Sequence, residues 1–245
     1  MLILLPPSET KTPGGAGAPL DLASLSFADL TGVRESIITD LGALSPDDAL
    51  PVLGISEKLR PEAVANTVLR TAPTMPAVLR YSGVLYDALA ADTLTPAALN
   101  RLAIGSALFG VVRAGDHIPH YRLSGGTKLP DPKGTTPTMK ARWGSAITDV
   151  LTGVDDLIID LRSGTYQQLG KVPGAVTVRV ESVQGDGTRK VVSHFNKHYK
   201  GELARVLATS SQEATTAGEV ADIARGAGMT VEINEGKRET LTLVV

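Results

Sequence analysis

Six side chains able to hold an anion or move a proton fall within ten residues of one another. They are Arg113, Asp116, His117, His120, Tyr121 and Arg122, and they follow an apolar run from Ala107 to Val112. Guanidinium forks suit phosphate or carboxylate, and histidine titrates near neutrality. Arg113 and Asp116 stand three apart, close enough to pair on one turn, so the same spacing also fits a plain ion-pair network. His117 and His120 lack a carboxylate at a spacing diagnostic of a metal site, and the chain has no HExxH. No metal and no cofactor is expected from motifs.

Three further stretches carry similar chemistry. Glu9 and Lys11 stand in Ser8-Glu9-Thr10-Lys11-Thr12, a loop without the glycine spacing of a phosphate loop. Tyr81 and Tyr86 flank Gly83, and fit either a site or ring packing with hydroxyls at the edge of the core. Asp160, Arg162, Ser163 and Tyr166 surround Gly164, and His194, Asn196, Lys197, His198 and Lys200 follow. Between 160 and 205 there are eight Lys or Arg and four Asp or Glu. That local excess suits a polyanion partner, or simply a solvated basic face.

Elements that could position these groups follow from periodicity. Residues 1–5 read as a buried strand, and 6–17 as a Pro/Gly/Ser/Thr loop. Residues 27–42 have helical spacing with Ser26 as a plausible N-cap. Short helices are expected at 46–53, 61–70, 84–91 and 96–103, three of them after Pro46, Pro61 and Pro96. Residues 104–112 suit a strand or a buried helical turn. A long loop at 124–137 leads to a helix from Thr138 to about 153, then a strand at 157–161. Alternation at 176–181 and the turn Gly185-Asp186-Gly187 predict a hairpin over 175–194. Helices at 198–209 and 216–226 follow, the latter opened by a Thr216/Glu219 capping box. A last hairpin spans 229–234 and 239–245 around Asn234-Glu235-Gly236. Hairpins mixed with clustered helices favour α+β, as a single domain over 1–245.

The totals narrow the class. The 245 residues can bury a sizeable core. There is no cysteine, which excludes disulfides and a thiol nucleophile, and the net charge of −2 makes the whole chain no polycation. The apolar opening is too short for a signal core or a membrane span. A cytoplasmic protein without membrane partners is the expectation.

At these places the sequence resembles the YaaA family of bacterial peroxide-stress proteins. The resemblance rests on MLILLPPSETKT at the start, YSGVLYDAL at 81–89, SALFGVVRAGDHIPHYRL at 106–123, Trp143-Gly144, IIDLRSGTY at 158–166 and VVSHFNKHYKG at 191–201. It implies a cytosolic protein that limits peroxide damage and is linked to lowering free iron. It also implies a mixed fold with a positively charged cleft and a helix-hairpin-helix-like element that binds DNA. The local counterpart of that element is Ser106 to Val112, with Ala107 where family members can carry glycine and Gly110 retained.

Three functions compete. DNA, double-stranded or distorted, would be held by Lys11, Arg113, Arg122, Arg162, Lys197 and Lys200, with Ser106 and Gly110 presenting backbone amides. Alternatively, an enzyme would bind a small anion through Arg113, Arg122 and Arg162. There Asp116 or Asp160 would act as base and Tyr166 or His194 as proton donor. Whether the protein is an enzyme is left open. Direct iron binding through Asp116, His117, His120 and Asp160 has the least support from spacing.

Overall fold

A computed structural model describes residues 1–192, 195–234 and 239–245. Eleven strands are present among them: β1 Leu2–Leu5, β2 Gly17–Pro19, β3 Pro73–Pro76, β4 Leu102–Ser106, β5 Gly110–Arg113, β6 His117–Ile118, β7 Ile158–Asp160, β8 Val176–Val183, β9 Arg189–Val191, β10 Thr230–Asn234 and β11 Thr240–Val244. The main sheet runs β10-β11-β8-β7-β1-β4-β5, with β9 paired to β8. Its five central strands, β11, β8, β7, β1 and β4, are parallel. Antiparallel partners β10, β5 and β9 complete it, so the sheet is mixed and the fold is α+β. A small sheet, β2-β3-β6, lies apart.

β1 is central because Leu2 to Leu5 are wholly buried, as the unbroken apolar run of a strand covered on both faces requires. The chain leaves β1 for β4 on one side, then crosses to β7 on the other. Ligand sites of open parallel sheets form at such a switch point, beyond the carboxyl ends of the strands. The segments after β1, β4 and β7 all emerge at that end.

Helix starts follow their caps. Ser45, Thr95 and Thr138 each accept the N–H three residues on, and Thr216 and Glu219 form the expected capping box. Ser26 does not cap: its hydroxyl donates to Asp116, and the first long helix begins at Thr31. The helix expected over 138–153 is two, Met139–Trp143 and Ala146–Thr152, divided at Gly144 with φ +54°. Residues 104–112 form the β4–β5 hairpin, and an additional helix, Gly164–Leu169, follows β7.

Helix Asn196–Thr209 packs against helix Val84–Leu89 so closely that Gly201 has no room for a side chain. A Cβ there would meet the Leu85 carbonyl oxygen at 2.3 Å and the Ala88 Cβ at 2.8 Å. Gly201→Ala is therefore expected to destabilise the protein by about 1–3 kcal/mol, although alanine is intrinsically the better helix former. Urea denaturation checks this, and a stabilised variant would contradict the packing.

Candidate functional site

After β1, the loop through Pro6 and Pro7 is tied back onto the start of a second segment. Lys11 bridges Tyr81, Thr12 N–H donates to the Arg80 carbonyl and Ser82 N–H to the Thr10 carbonyl. Tyr86 donates to the Pro6 carbonyl at 2.8 Å and stacks on Tyr81. Tyr81 and Tyr121 share a hydrogen bond of 2.7 Å between their hydroxyls, and Tyr121 shares another of 2.8 Å with Ser106 at the end of β4. The Ser106 oxygen also accepts the Phe109 N–H. This is a continuous chain of three buried hydroxyls. Burial holds the tyrosine protons tightly: Tyr81 is pushed up to about 12 and Tyr121 well above its ordinary value.

The Lys11 ammonium lies 4.3 Å from the Tyr121 ring centroid and 5.5 Å from that of Tyr81. Desolvation lowers its pKa to about 8, Glu9 and Glu62 opposing and Arg122 and Arg80 reinforcing the fall. Arg122 is aimed by Asn66, whose amide clamps the Arg122 backbone on both sides at 2.8 Å. Its guanidinium then meets both the carbonyl and the carboxylate of Glu9.

Next to this cluster lies a cleft of about 500 Å³. Pro6, Pro7 and Glu9 form one wall, Ser124 to Gly126 and Tyr166 another, and Leu161, Ser163, Thr165, Asn196, Lys197 and Lys200 the rest. Two lysines and one glutamate are its charged lining. Gly125 N–H donates to the Tyr166 hydroxyl, which fixes the Ser124–Gly126 turn over helix Gly164–Leu169. Lys200 donates to the Leu161 carbonyl at 3.1 Å, and burial lowers its proton affinity while Asp160 opposes.

Beneath the cleft, Arg162 grips both oxygens of Asp160 at 2.9 Å and also donates to the Gly170 and Tyr166 carbonyls. Both residues are buried, with their polar atoms turned to each other. Asp160 thus braces the floor instead of standing free as a base.

The structure brings Lys11, Ser106, Arg122, Asp160, Arg162, Tyr166, Lys197 and Lys200 to one end of the sheet. It does not bring Arg113 or Asp116 there. Arg113 pairs with Ala103 near the opposite end of β4 and donates to the Asn100 carbonyl. Asp116 accepts the Arg113 and Ser26 N–H groups and the Ser26 hydroxyl, so it organises a turn. The pairing expected from their spacing is carboxylate to backbone. The phosphate-presenting hairpin is likewise not found at Ser106 to Val112. That segment is a fully buried β-hairpin, and Trp143 ring atoms lie 2.9 Å from where a Gly110 Cβ would stand. Gly110, at φ +73°, is needed for the turn and for the tryptophan, whose indole N–H donates to the Ala107 carbonyl.

The iron set is dispersed too. His117 meets Thr74, His120 meets Glu62, and Asp116 and Asp160 bond as described. Among the described residues no group of three His, Asp or Glu converges. His194 lies outside the described residues. Sequence reasoning marked 124–137 only as a long loop of a kind that is often functional, without naming the Ser124–Gly126 wall, and missed the clamp from Asn66. A Ser-Gly-Gly turn opening a long loop was the available signal for the first; the second had none.

A mixed α+β sheet with a cleft of about 500 Å³ beside the carboxyl ends of its parallel strands is the class of architecture this chain has. Sequence comparison gives the family. Residues 1–227 match the family described as peroxide stress protein YaaA. A UPF0246 protein of Corynebacterium efficiens is 93% identical over the full length of both chains. One from Corynebacterium glutamicum is 69% identical over the same extent. A third, from Streptomyces coelicolor, is 42% identical over 95% of this chain and 92% of its own. The chain belongs to the YaaA family of peroxide stress proteins. Among the described residues no helix is long and apolar enough to cross a membrane.

Proposed function

We propose that this protein acts in the cytoplasmic defence against peroxide, limiting iron-driven damage, by binding and processing a small anionic molecule in the cleft at the end of β1. The observation that carries this reading is the cleft itself. Its volume falls in the range of small-molecule sites, and Lys197, Lys200, Ser163 and the Ser124–Gly126 turn line it beside a buried lysine and a chain of hydroxyls. The arginines around it are already engaged: Arg162 by Asp160 and Arg122 by Glu9. Acid–base chemistry needs groups of both signs near one another, which backbone contacts to a duplex do not.

Thermal unfolding with a panel of phosphate and carboxylate metabolites tests it. A ligand at a hundred times its Kd is expected to stabilise the fold by about 2.7 kcal/mol. Lys197→Ala, at an exposed position, should weaken that ligand about tenfold, the loss of one charge-assisted contact. A panel with no stabilising member would reject the reading.

Binding to DNA is a second reading, favoured by one feature. Exposed Lys190 and Lys197 lie five residues before and two after Phe195 in sequence, an aromatic ring 68% exposed to solvent. Cations interleaved with an exposed ring suit distorted or single-stranded DNA. Fluorescence anisotropy at two salt concentrations separates the readings. Affinity that falls steeply with salt and disappears in Phe195→Ala supports DNA; no binding at low salt removes it.

A further inference from the structure

We propose that the cleft takes a small phosphate monoester, its phosphate held by Lys200 and Lys197 and its hydrogen-bond donors facing Glu9. The proposal rests on the small-anion reading above and adds the anionic group, the residue that anchors it and the polarity of the rest of the ligand.

Lys200 is the unusual group. A lysine kept for stability stays in solvent or pairs with a carboxylate. Lys200 lines the cleft yet is only 8% exposed, and its ammonium donates to one neutral oxygen, the Leu161 carbonyl at 3.1 Å. The neighbouring carboxylate, Asp160, has both oxygens held by Arg162 at 2.9 Å. Among the described residues no carboxylate makes an ion pair with Lys200 or Lys197. A buried charge without a counter-ion is costly, and an anion entering the cleft removes that cost. Lys197 stands one turn earlier on helix Asn196–Thr209, so the two side chains share a face. Ser163 occupies the N-cap position of helix Gly164–Leu169, where a serine ordinarily accepts an amide of its own helix. It makes no such bond and lines the cleft instead.

Two lysines and a hydroxyl fit a phosphate monoester better than a carboxylate. At pH 7 the monoester carries a charge of about −1.5 to −2 on three acceptor oxygens, and a carboxylate about −1 on two. A phosphate within duplex DNA carries a single charge and is fixed in a continuous backbone, so it cannot follow Lys200 below the surface. The Glu9 side of the cleft has the opposite polarity. One Glu9 carboxylate oxygen faces Arg122 at 3.3 Å, and the other has no partner among the described residues. A hydroxyl or amine satisfies that acceptor, whereas a second anion would meet like charge. Pro6, Pro7 and Tyr166 supply apolar surface for the body of the ligand.

The test is calorimetry on the full-length protein with pyridoxine 5′-phosphate, a phosphate monoester whose ring carries further hydroxyls. It is expected to bind, and 4-pyridoxate, a carboxylate of the same ring, to bind about tenfold more weakly or worse. Phenyl phosphate, which has no further donors, should also lose about tenfold. Lys200→Met keeps the length of the side chain and removes its charge, and should weaken pyridoxine 5′-phosphate about a hundredfold. If that variant does not fold, Lys197→Ala, at an exposed position, carries the test with a loss of about tenfold. Equal binding of 4-pyridoxate, or binding by carboxylates alone, would overturn the phosphate class and leave the small-anion cleft standing. Undiminished binding in folded Lys200→Met, or in Lys197→Ala, would overturn the lysine anchor. Equal affinity for phenyl phosphate would overturn the part given to Glu9. Binding by no anion of either kind would remove the small-anion cleft itself.

Discussion

Asp160→Ala is expected to lower the stability of the fold by about 3–5 kcal/mol, because it leaves a buried guanidinium without its counter-charge. The Arg162 side chain is 1% exposed and that of Asp160 5%, so solvent cannot replace the lost carboxylate. Arg162 has no way to turn outward. Its Cδ lies 2.8 Å from where a Gly105 Cβ would stand, pressed over β4. The Asp160→Ala, Arg162→Met double variant should recover much of the loss, since no charge is then left buried. Guanidinium denaturation of the three proteins is the check. At roughly 2–4 °C per kcal/mol for a chain of this size, the single variant should melt about 6–20 °C lower. A loss below about 1 kcal/mol would mean the pair behaves as a surface ion pair.

Arg80→Met should have the second largest effect, although among the described residues Arg80 has no carboxylate partner. Its guanidinium is wholly buried and donates to the carbonyls of Thr12, Gly14, Pro73 and Ile118. Two effects oppose each other. Removing a desolvated cation relieves a cost, which its lowered proton affinity reveals. Four carbonyls then lose their donor, at about 1–3 kcal/mol for each that stays buried. The second effect is larger, and a net loss of about 3 kcal/mol or more is expected. The first loop should loosen with it, so amide exchange at residues 11–14 should accelerate well beyond that of β1. Lysine should not rescue, because one ammonium cannot span four acceptors on three segments. Full stability in Arg80→Met would show that the loop is held by other contacts.

The arginines also show where reading the sequence stops. A guanidinium fork fits a phosphate, a carboxylate or two main-chain carbonyls equally well. Arg34 donates to the carbonyls of Phe109, Ser26 and Val111, and Arg101, Arg205 and Arg225 likewise staple loops and helix ends. Nothing in composition separates these uses. Arg162 follows a strand, as its sequence setting implied, yet its fork is turned to Asp160. Strands β1 and β7 were legible as short apolar runs, and β8 with its antiparallel partner β9 by alternation. Their neighbours were not legible. Leu2 pairs with Ile158 across an intervening chain that has no local signal for a parallel partner. Because the cleft forms where β1, β4 and β7 end together, its members could be named singly but not assembled. Tyr166, Lys197 and Lys200 line it and Lys11 and Arg122 belong to the cluster next to it; Arg113 and Asp116, with equally suitable chemistry, are carried away by the direction of β5. His194 lies outside the described residues.

The most direct test of the cleft as a small-anion site is an amide NMR titration with pyridoxine 5′-phosphate. Saturable shifts confined to Ser124–Gly126, Ser163–Tyr166 and Asn196–Lys200 are predicted, with Arg113–Asp116 unmoved at the far end of β4. No saturable shift, or shifts spread along exposed basic segments with the cleft unchanged, would contradict it.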